Sequence, residues 1–277
     1  MMFSESVLYV CFFTFIIHLT ESLAYCMRLA GVRTKQIAIA MAFVTSTLLI
    51  SRLSNMFQAP VLGALVDVAI LDGSVMALAK LELSFRLIIF SAFCGAFFGA
   101  FFTPTMVNLF KAAIQRFLIV GSVPRVFFYA LKPRNIVKII RTFRLPPIQS
   151  FRKISLKNLP KQFLIINVFV TSIYTIGVLC ALLAGAYMPE FRSTALQLSG
   201  IVNGMATVLF SLLVDPAGAR ITDQAVHQKR PEDDVRSVVF FLQMGKILGT
   251  LLVAQLLFKP LTNYIVWVTG IISKSVM

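Results

Sequence analysis

Apolar residues in this chain fall into long, nearly unbroken runs rather than into alternation or a narrow helical stripe. A helix that crosses a bilayer needs about 20 mostly apolar residues. Six segments meet that length: roughly 6–30, 36–61, 84–110, 163–187, 195–215 and 236–258. Two further segments are interrupted or short. Residues 112–131 carry Arg116, Gly121, Pro124 and Arg125, and residues 260–277 are brief. Each fits a short span, a re-entrant piece or an interfacial helix. The pattern predicts an all-α polytopic membrane protein of six transmembrane helices plus two short ambiguous segments.

Composition agrees: 58% of the 277 residues are apolar and 13% are charged. Soluble domains are nearer half apolar and a quarter charged, so a secreted enzyme, a cytosolic enzyme and a disordered regulator are excluded. Net charge is +15. In a soluble chain that excess would point to nucleic acid. Here the basic residues border apolar runs, so anionic membrane lipid is the expected partner and nucleic acid is not. Cys11, Cys26, Cys94 and Cys180 sit in apolar stretches with no CxxC spacing, which predicts neither disulfides nor zinc. With His18 and His227 as the only histidines, no metal or cofactor is expected. The N-terminus lacks a basic n-region, so the first run is expected to stay in the membrane rather than be cleaved.

Lys and Arg in short loops set orientation. Residues 111–161 hold twelve of them, and no acid occurs from 83 to 189. That stretch is expected on the cytoplasmic side, with the N-terminus outside, the Arg28–Arg33–Lys35 loop inside and the Asp67–Asp72–Glu82 loop outside. Within residues 134–145, Arg134, Lys138 and Arg141 share one helical face, and Ile136, Ile139, Ile140 and Phe143 share the other. This predicts an amphipathic helix on an anionic leaflet, ended by Pro146-Pro147. A simple topology anchor explains the same pattern.

The two halves resemble each other. Ser51-x3-Asn55-x9-Leu65-Val66-Asp67 matches Ser199-x3-Asn203-x9-Leu213-Val214-Asp215. Arg86-x3-Phe90-x4-Gly95-x3-Gly99 matches Arg236-x3-Phe240-x4-Gly245-x3-Gly249. Cys26-x2-Leu29-Ala30-Gly31 and Leu109-Phe110-Lys111 match Cys180-x2-Leu183-Ala184-Gly185 and Leu257-Phe258-Lys259. The matches run in chain order at offsets of 148 to 154. We read a duplication: a first membrane repeat over 1–131, a basic cytoplasmic linker over 132–161 and a second membrane repeat over 162–277. An odd number of spans per copy favours an inverted repeat, a transporter architecture with its site near the midplane. The Gly-x3-Gly pairs permit close helix approach, better explained by packing within one chain than by a homodimer contact.

Several polar residues lie inside the apolar runs. His18, Glu21, Tyr25 and Arg28 fall on one stripe of the first span. Arg52 and Asn55 lie in the second, Arg86 enters the third, Asn203 matches Asn55, and Lys246 lies in the sixth. A mid-bilayer Arg or Lys costs at least ~2.5–3.5 kcal/mol unless it faces protein, a partner or water. Snorkelling, buried ion pairs and interhelical hydrogen bonds are the structural alternatives for each one. Arg52, Arg86, Asn55, Arg28, Asn203 and Lys246 are the candidate substrate-binding set, suited to a phosphate-bearing ligand. Glu21, His18, Asp67 and Asp215 are candidates for coupling or for structural ion pairs. No Walker A, HExxH or GxSxG sequence occurs, so ATP hydrolysis and catalysis are not expected.

The run from His18 to Lys35, His-Leu-Thr-Glu-Ser-Leu-Ala-Tyr-Cys-Met-Arg-Leu-Ala-Gly-Val-Arg-Thr-Lys, resembles the opening signature of the alternate lipid II flippase family, Amj. The stretch Ser51-Arg-Leu-Ser-Asn-Met-Phe-Gln-Ala-Pro60 with the following Leu62-Gly63 resembles it too. The likeness is strongest over 18–67, and it carries no set of functional residues onto this chain. It implies translocation of lipid II, a polyprenyl diphosphate bearing a sugar–peptide head, across the bacterial cytoplasmic membrane for peptidoglycan synthesis. Alternating access between the halves without ATP is the expected mechanism. The rival readings are a flippase or secondary transporter for another polyprenyl-diphosphate lipid or anion, and a non-transporting membrane scaffold.

Overall fold

The computed structural model describes residues 4–144, 146, 152–157 and 159–276. Twelve helices are labelled here. The first half holds α1 (Glu5–Ala24), α2 (Cys26–Thr34), α3 (Ile37–Asp72) and α4 (Val75–Phe101). Then come α5 (Thr103–Val120), α6 (Val123–Ala130) and α7 (Pro133–Arg141). The second half holds α8 (Lys161–Tyr187), α9 (Arg192–Leu209), α10 (Asp215–Val226), α11 (Glu232–Leu248) and α12 (Ala254–Val276). Among the described residues there is no strand.

Six helical stretches are long and apolar enough to cross a membrane: Glu5–Thr34, Ile37–Asp72, Val75–Phe101, Lys161–Tyr187, Pro189–Val226 and Glu232–Ser275. These are the six expected spans, with altered ends. The third begins earlier than residue 84 because Glu82, placed in a loop by the charge pattern, is held inside α4 by two cations. The sixth continues through Pro260 to the end of α12, so 260–277 extends a span instead of forming a separate piece. The backbone widens to π-helix over Phe210–Val214 and Gly249–Val253. Residues 112–131 are not one helix: they divide between α5 and α6 at Gly121, whose φ of +68° caps α5. The expected amphipathic helix corresponds to α7, which buries none of its side chains. Leu145 and Pro147 of that expectation lie outside the described residues.

One helix is the hub of each half. α1 packs along α3 and α4, and α8 packs along α9 and α12. The glycine pairs make both hubs close. A Cβ at Gly95 would collide with the Phe15 carbonyl of α1, and one at Gly99 with Ser22. In the other half, a Cβ at Gly245 would collide with Asn167 of α8 and one at Gly249 with Ser172. The hydroxyls of Ser22 and Ser172 donate across these contacts to the carbonyls of Ala96 and Gly249, at 3.1 Å each. Both pairs therefore pack within the chain.

Apolar side chains gather in two clusters at opposite ends. One joins Leu62, Val66, Phe85 and Ile88 to Ile176, Leu183, Phe258 and Ile265. The other joins Met27, Phe43, Val107 and Ile114 to Phe163, Val235, Val238 and Leu242. Each draws on both halves, so burial of apolar surface holds the halves together. A polar layer that includes His18, Ser51, Asn167, Ser172, Gln243 and Lys246 lies between the clusters.

Candidate functional site

The polar layer centres on one ion pair. The Lys246 ammonium of α11 donates to the Glu21 carboxylate of α1 at 2.5 Å. Their side chains are 4% and 14% exposed. Ser51 of α3 donates to the other Glu21 oxygen at 3.1 Å, and His18 Nδ1 lies 3.9 Å from Glu21 without a hydrogen bond of its own. Arg33 lies twelve residues beyond Glu21 and Asp67 sixteen beyond Ser51, roughly 18 and 24 Å along the helices at 1.5 Å per residue. Together those lengths match the ~40–45 Å bilayer with its headgroups, which puts Glu21–Lys246 near mid-depth.

Four further charge pairs bridge the halves, two at each end. At one end Arg28 of α2 meets Asp215 of α10 at 2.7 Å, and Arg33 meets Glu232 of α11 at 2.8 Å. At the other, Asp67 of α3 pairs with Arg192 of α9, and Glu82 of α4 pairs with Lys259 of α12 at 3.1 Å. α1 and α2 thus end where Glu232 lies, while α8 ends beside Tyr187, whose hydroxyl donates to Glu82 at 3.3 Å. The two hub helices run in opposite directions.

The expected residues divide by role. Glu21, Arg28, Asp67, Asp215 and Lys246 all enter pairs between halves, so Arg28 and Lys246 face carboxylates in this conformation. Arg86 is occupied by Glu82 at 3.1 Å and by the carbonyl of Gln255, whose amide donates back to the Arg86 carbonyl at 2.9 Å. Asn55 accepts from Gln58, which in turn accepts from Thr14 of α1. Asn203 presses its Oδ1 against Gly177 of α8, and that oxygen is buried without a hydrogen bond. Arg52 differs from all of these. It follows Ser51 at mid-depth, is exposed, and forms no ion pair among the described residues. Tyr174 of α8 feels the fields of both Arg52 and Glu21. The four residues of the first-span stripe part company: Glu21 goes to α11, Arg28 to α10, and His18 and Tyr25 stay packed.

Sequence reading missed Arg33, Arg192, Glu232 and Lys259 as bridging residues, and Glu82 as more than a loop charge. A signal was present for one pair. Glu82 and Glu232 are 150 residues apart, within the repeat offsets, and each stands four residues before a matched arginine, Arg86 or Arg236.

Six membrane-crossing helices and two halves joined through buried and capping ion pairs define a multi-pass membrane protein. The chain belongs to the Amj family: the family described as alternate to MurJ matches residues 13–269. It is 37% identical over 267 residues to the lipid II flippase Amj of Bacillus subtilis (strain 168), covering 96% of this chain and 97% of that protein. No solved structure matches the chain.

Proposed function

We propose that the protein is a lipid II flippase of the bacterial cytoplasmic membrane that supplies precursor for peptidoglycan synthesis, moving it by alternating access without ATP hydrolysis. The observation that carries this reading is the near-full-length likeness to a protein named for that activity. The geometry is suited to it. Two halves with antiparallel hub helices and matched glycine contacts fit an inverted repeat of 1–131 and 162–277 around a midplane polar layer. Bridges at both ends give each side a closure that opens when its pairs part: Arg28–Asp215 and Arg33–Glu232 on the cytoplasmic side, Asp67–Arg192 and Glu82–Lys259 outside. Arg52, at mid-depth and without an ion pair among the described residues, is the group that receives the diphosphate, since guanidinium forks match phosphate oxygens. Asn55 is the neutral donor one turn away.

Orientation follows from the basic stretch 111–161 on the cytoplasmic side, with the N-terminus outside. There α7 leaves Ile136, Val137 and Ile140 exposed beside Arg134, Lys138 and Arg141. Such a helix lies on an anionic leaflet and gathers charged lipid near the entrance.

The test is leaflet exchange of fluorescent lipid II in liposomes holding the purified chain. Protein-dependent exchange that unlabelled lipid II suppresses, and other lipid-linked sugars do not, is the expected result. Exchange suppressed equally by any polyprenyl-diphosphate lipid moves the substrate to that wider class. Absence of exchange by folded protein, with and without a membrane potential, removes the transport reading in favour of a scaffold.

A further inference from the structure

A cavity of about 760 Å³ opens between the halves at the end that carries Arg33 and Glu232. Its volume falls within the ~300–1,000 Å³ of small-molecule pockets. Its walls are mostly apolar, with Phe97 and Phe101 of α4 facing Phe240 of α11. Phe97 and Phe101 are exposed, and they lie on a membrane-crossing helix, so this wall is open to hydrocarbon. Three arginines line it: Arg33 from α2, Arg144 from the segment after α7, and Arg236 from α11.

These arginines are not equally engaged. Arg33 and Arg236 share one Glu232 oxygen, at 2.8 and 3.2 Å, and Arg236 also reaches Asp233 at 2.8 Å. Arg144 is fixed by its backbone, whose N–H donates to the Thr105 hydroxyl at 2.9 Å while its carbonyl accepts from that hydroxyl at 3.0 Å. Its guanidinium forms no ion pair among the described residues. With Arg33 and Arg236 matched by Glu232 and Asp233, Arg144 leaves this pocket one positive charge in excess among the described residues. Its phenylalanine wall asks for hydrocarbon. A phosphate bears two or more oxygens that arginine binds in bidentate fashion, and a lipid phosphate joins that head to a tail.

We propose that this cavity binds a phosphate-headed anionic lipid, head at Arg144 and tail along Phe97 and Phe101, and that the bound head draws Arg33 and Arg236 from Glu232. Because Arg33–Glu232 joins the two halves, occupancy loosens that end of the molecule. The phosphate comes from one of two sources, a polyprenyl diphosphate or a bilayer phospholipid. The site stands independently of the flippase reading, because it is defined by binding and not by transport.

Native mass spectrometry of the full-length chain in detergent tests it, titrated separately with lipid II, with dioleoyl phosphatidylglycerol and with phosphate-free dioleoylglycerol. Both variants aimed at the pocket leave the buried clusters alone. Arg144→Gln is expected to weaken the phosphate lipids about tenfold, the loss of one hydrogen bond to a charged group. Ala100→Trp, which fills the cavity without changing charge, is expected to abolish that binding. Glu232→Gln frees Arg33, leaves Arg236 with Asp233 alone, and is expected to tighten it several-fold, an effect that loss of structure would not produce. Preference for lipid II over phosphatidylglycerol assigns the site to polyprenyl diphosphate, and the reverse assigns it to bilayer phospholipid. Binding unchanged in both Arg144→Gln and Ala100→Trp, or equal binding of dioleoylglycerol, overturns the site. Unchanged affinity in Glu232→Gln overturns its link to the bridge. Leaflet exchange is measured on the same preparations, so an inactive transporter that still binds fails only the transport reading.

Discussion

Glu82 and Glu232 hold the same arrangement at opposite ends of the molecule. Each accepts from the arginine four residues later on its own helix, and each accepts from a cation of the other half: Lys259 for Glu82, Arg33 for Glu232. The matched aspartates repeat the exchange, Asp67 with Arg192 and Asp215 with Arg28. Every carboxylate in this set thus binds its own half to the other. An apolar contact slides at little cost, but an ion pair has two discrete states, made and parted. Bistable elements of that kind are what a two-state transition uses.

Locking either end is expected to stop exchange. In a background without the four native cysteines, Asp67→Cys/Arg192→Cys and Arg28→Cys/Asp215→Cys are each predicted to be joined by a short bis-methanethiosulfonate linker, which replaces the reach of the lost arginine side chain as a direct disulfide does not. Lipid II exchange in liposomes falls to background in both linked proteins, and returns on reduction. Full exchange by either linked protein, with the cross-link confirmed by mass, removes that pair from the gating role.

The central pair makes a thermodynamic prediction. Removing one member of a buried ion pair strands the other charge and costs ~3–5 kcal/mol, whereas replacing both is often nearly neutral. Glu21→Gln and Lys246→Met are each expected to lower the midpoint of thermal unfolding in detergent, and the double variant to regain most of the loss. Additive losses in the double variant would show that the two groups act separately.

Close approach at the hubs predicts a contrast among glycines. Gly95→Ala drives a methyl into the Phe15 backbone, which cannot swing aside as a side chain can, so a loss of ~1–3 kcal/mol is expected. Gly245→Ala meets Asn167, held by its own bond to the Leu242 carbonyl at 3.1 Å, and should cost a similar amount. Gly63 and Gly200 have open space at the Cβ position. Their alanine variants should match or slightly exceed the parent, because alanine is the better helix former. Equal unfolding midpoints for all four variants would contradict the packing described for α1–α4 and α8–α11.

How far the sequence speaks for itself depends on what a residue's neighbours along the chain decide. Span number and rough position follow from run length alone, and the inward packing of Gly95 and Gly245 from their Gly-x3-Gly spacing. Ends are harder. Glu82 reads as loop because pairing with Lys259, 177 residues on, is invisible in a local window, and 260–277 reads as a separate short segment although α12 runs through Pro260. Intramembrane charges could be picked out because hydrocarbon tolerates few of them, but their partners could not be. His18, Glu21 and Arg28 share a stripe on an ideal helix, yet Lys246 and Asp215 are brought to two of them by the packing of the second half. Arg33 is legible only as a topology signal and Arg236 only as the repeat match of Arg86, since nothing local joins Arg33 to the carboxylate at the start of α11.

Arg52 and Arg86 separate function from structure most cleanly. Both are arginines within spanning helices of the first half. Arg86 is tied to Glu82 and, reciprocally, to Gln255 of α12. Arg86→Ala is therefore expected to lower stability, since it leaves Glu82 with Lys259 as its one remaining cation among the described residues and removes the Arg86 side-chain bonds to Gln255. Arg52 has no such ties among the described residues, and Arg52→Ala should leave the unfolding midpoint unchanged or raise it, because a cation at mid-depth without a carboxylate costs the fold ~2.5 kcal/mol or more. Such a residue persists when something other than folding needs it. Arg52→Ala is expected to abolish lipid II exchange at unaltered stability, and Arg52→Lys to retain a fraction, since ammonium supplies the charge without the bidentate fork. Measuring unfolding and exchange on one preparation settles the role. Normal exchange by stable Arg52→Ala protein would leave the diphosphate without its mid-depth partner and shift the search to Arg28 and Lys246 once their carboxylates have let go.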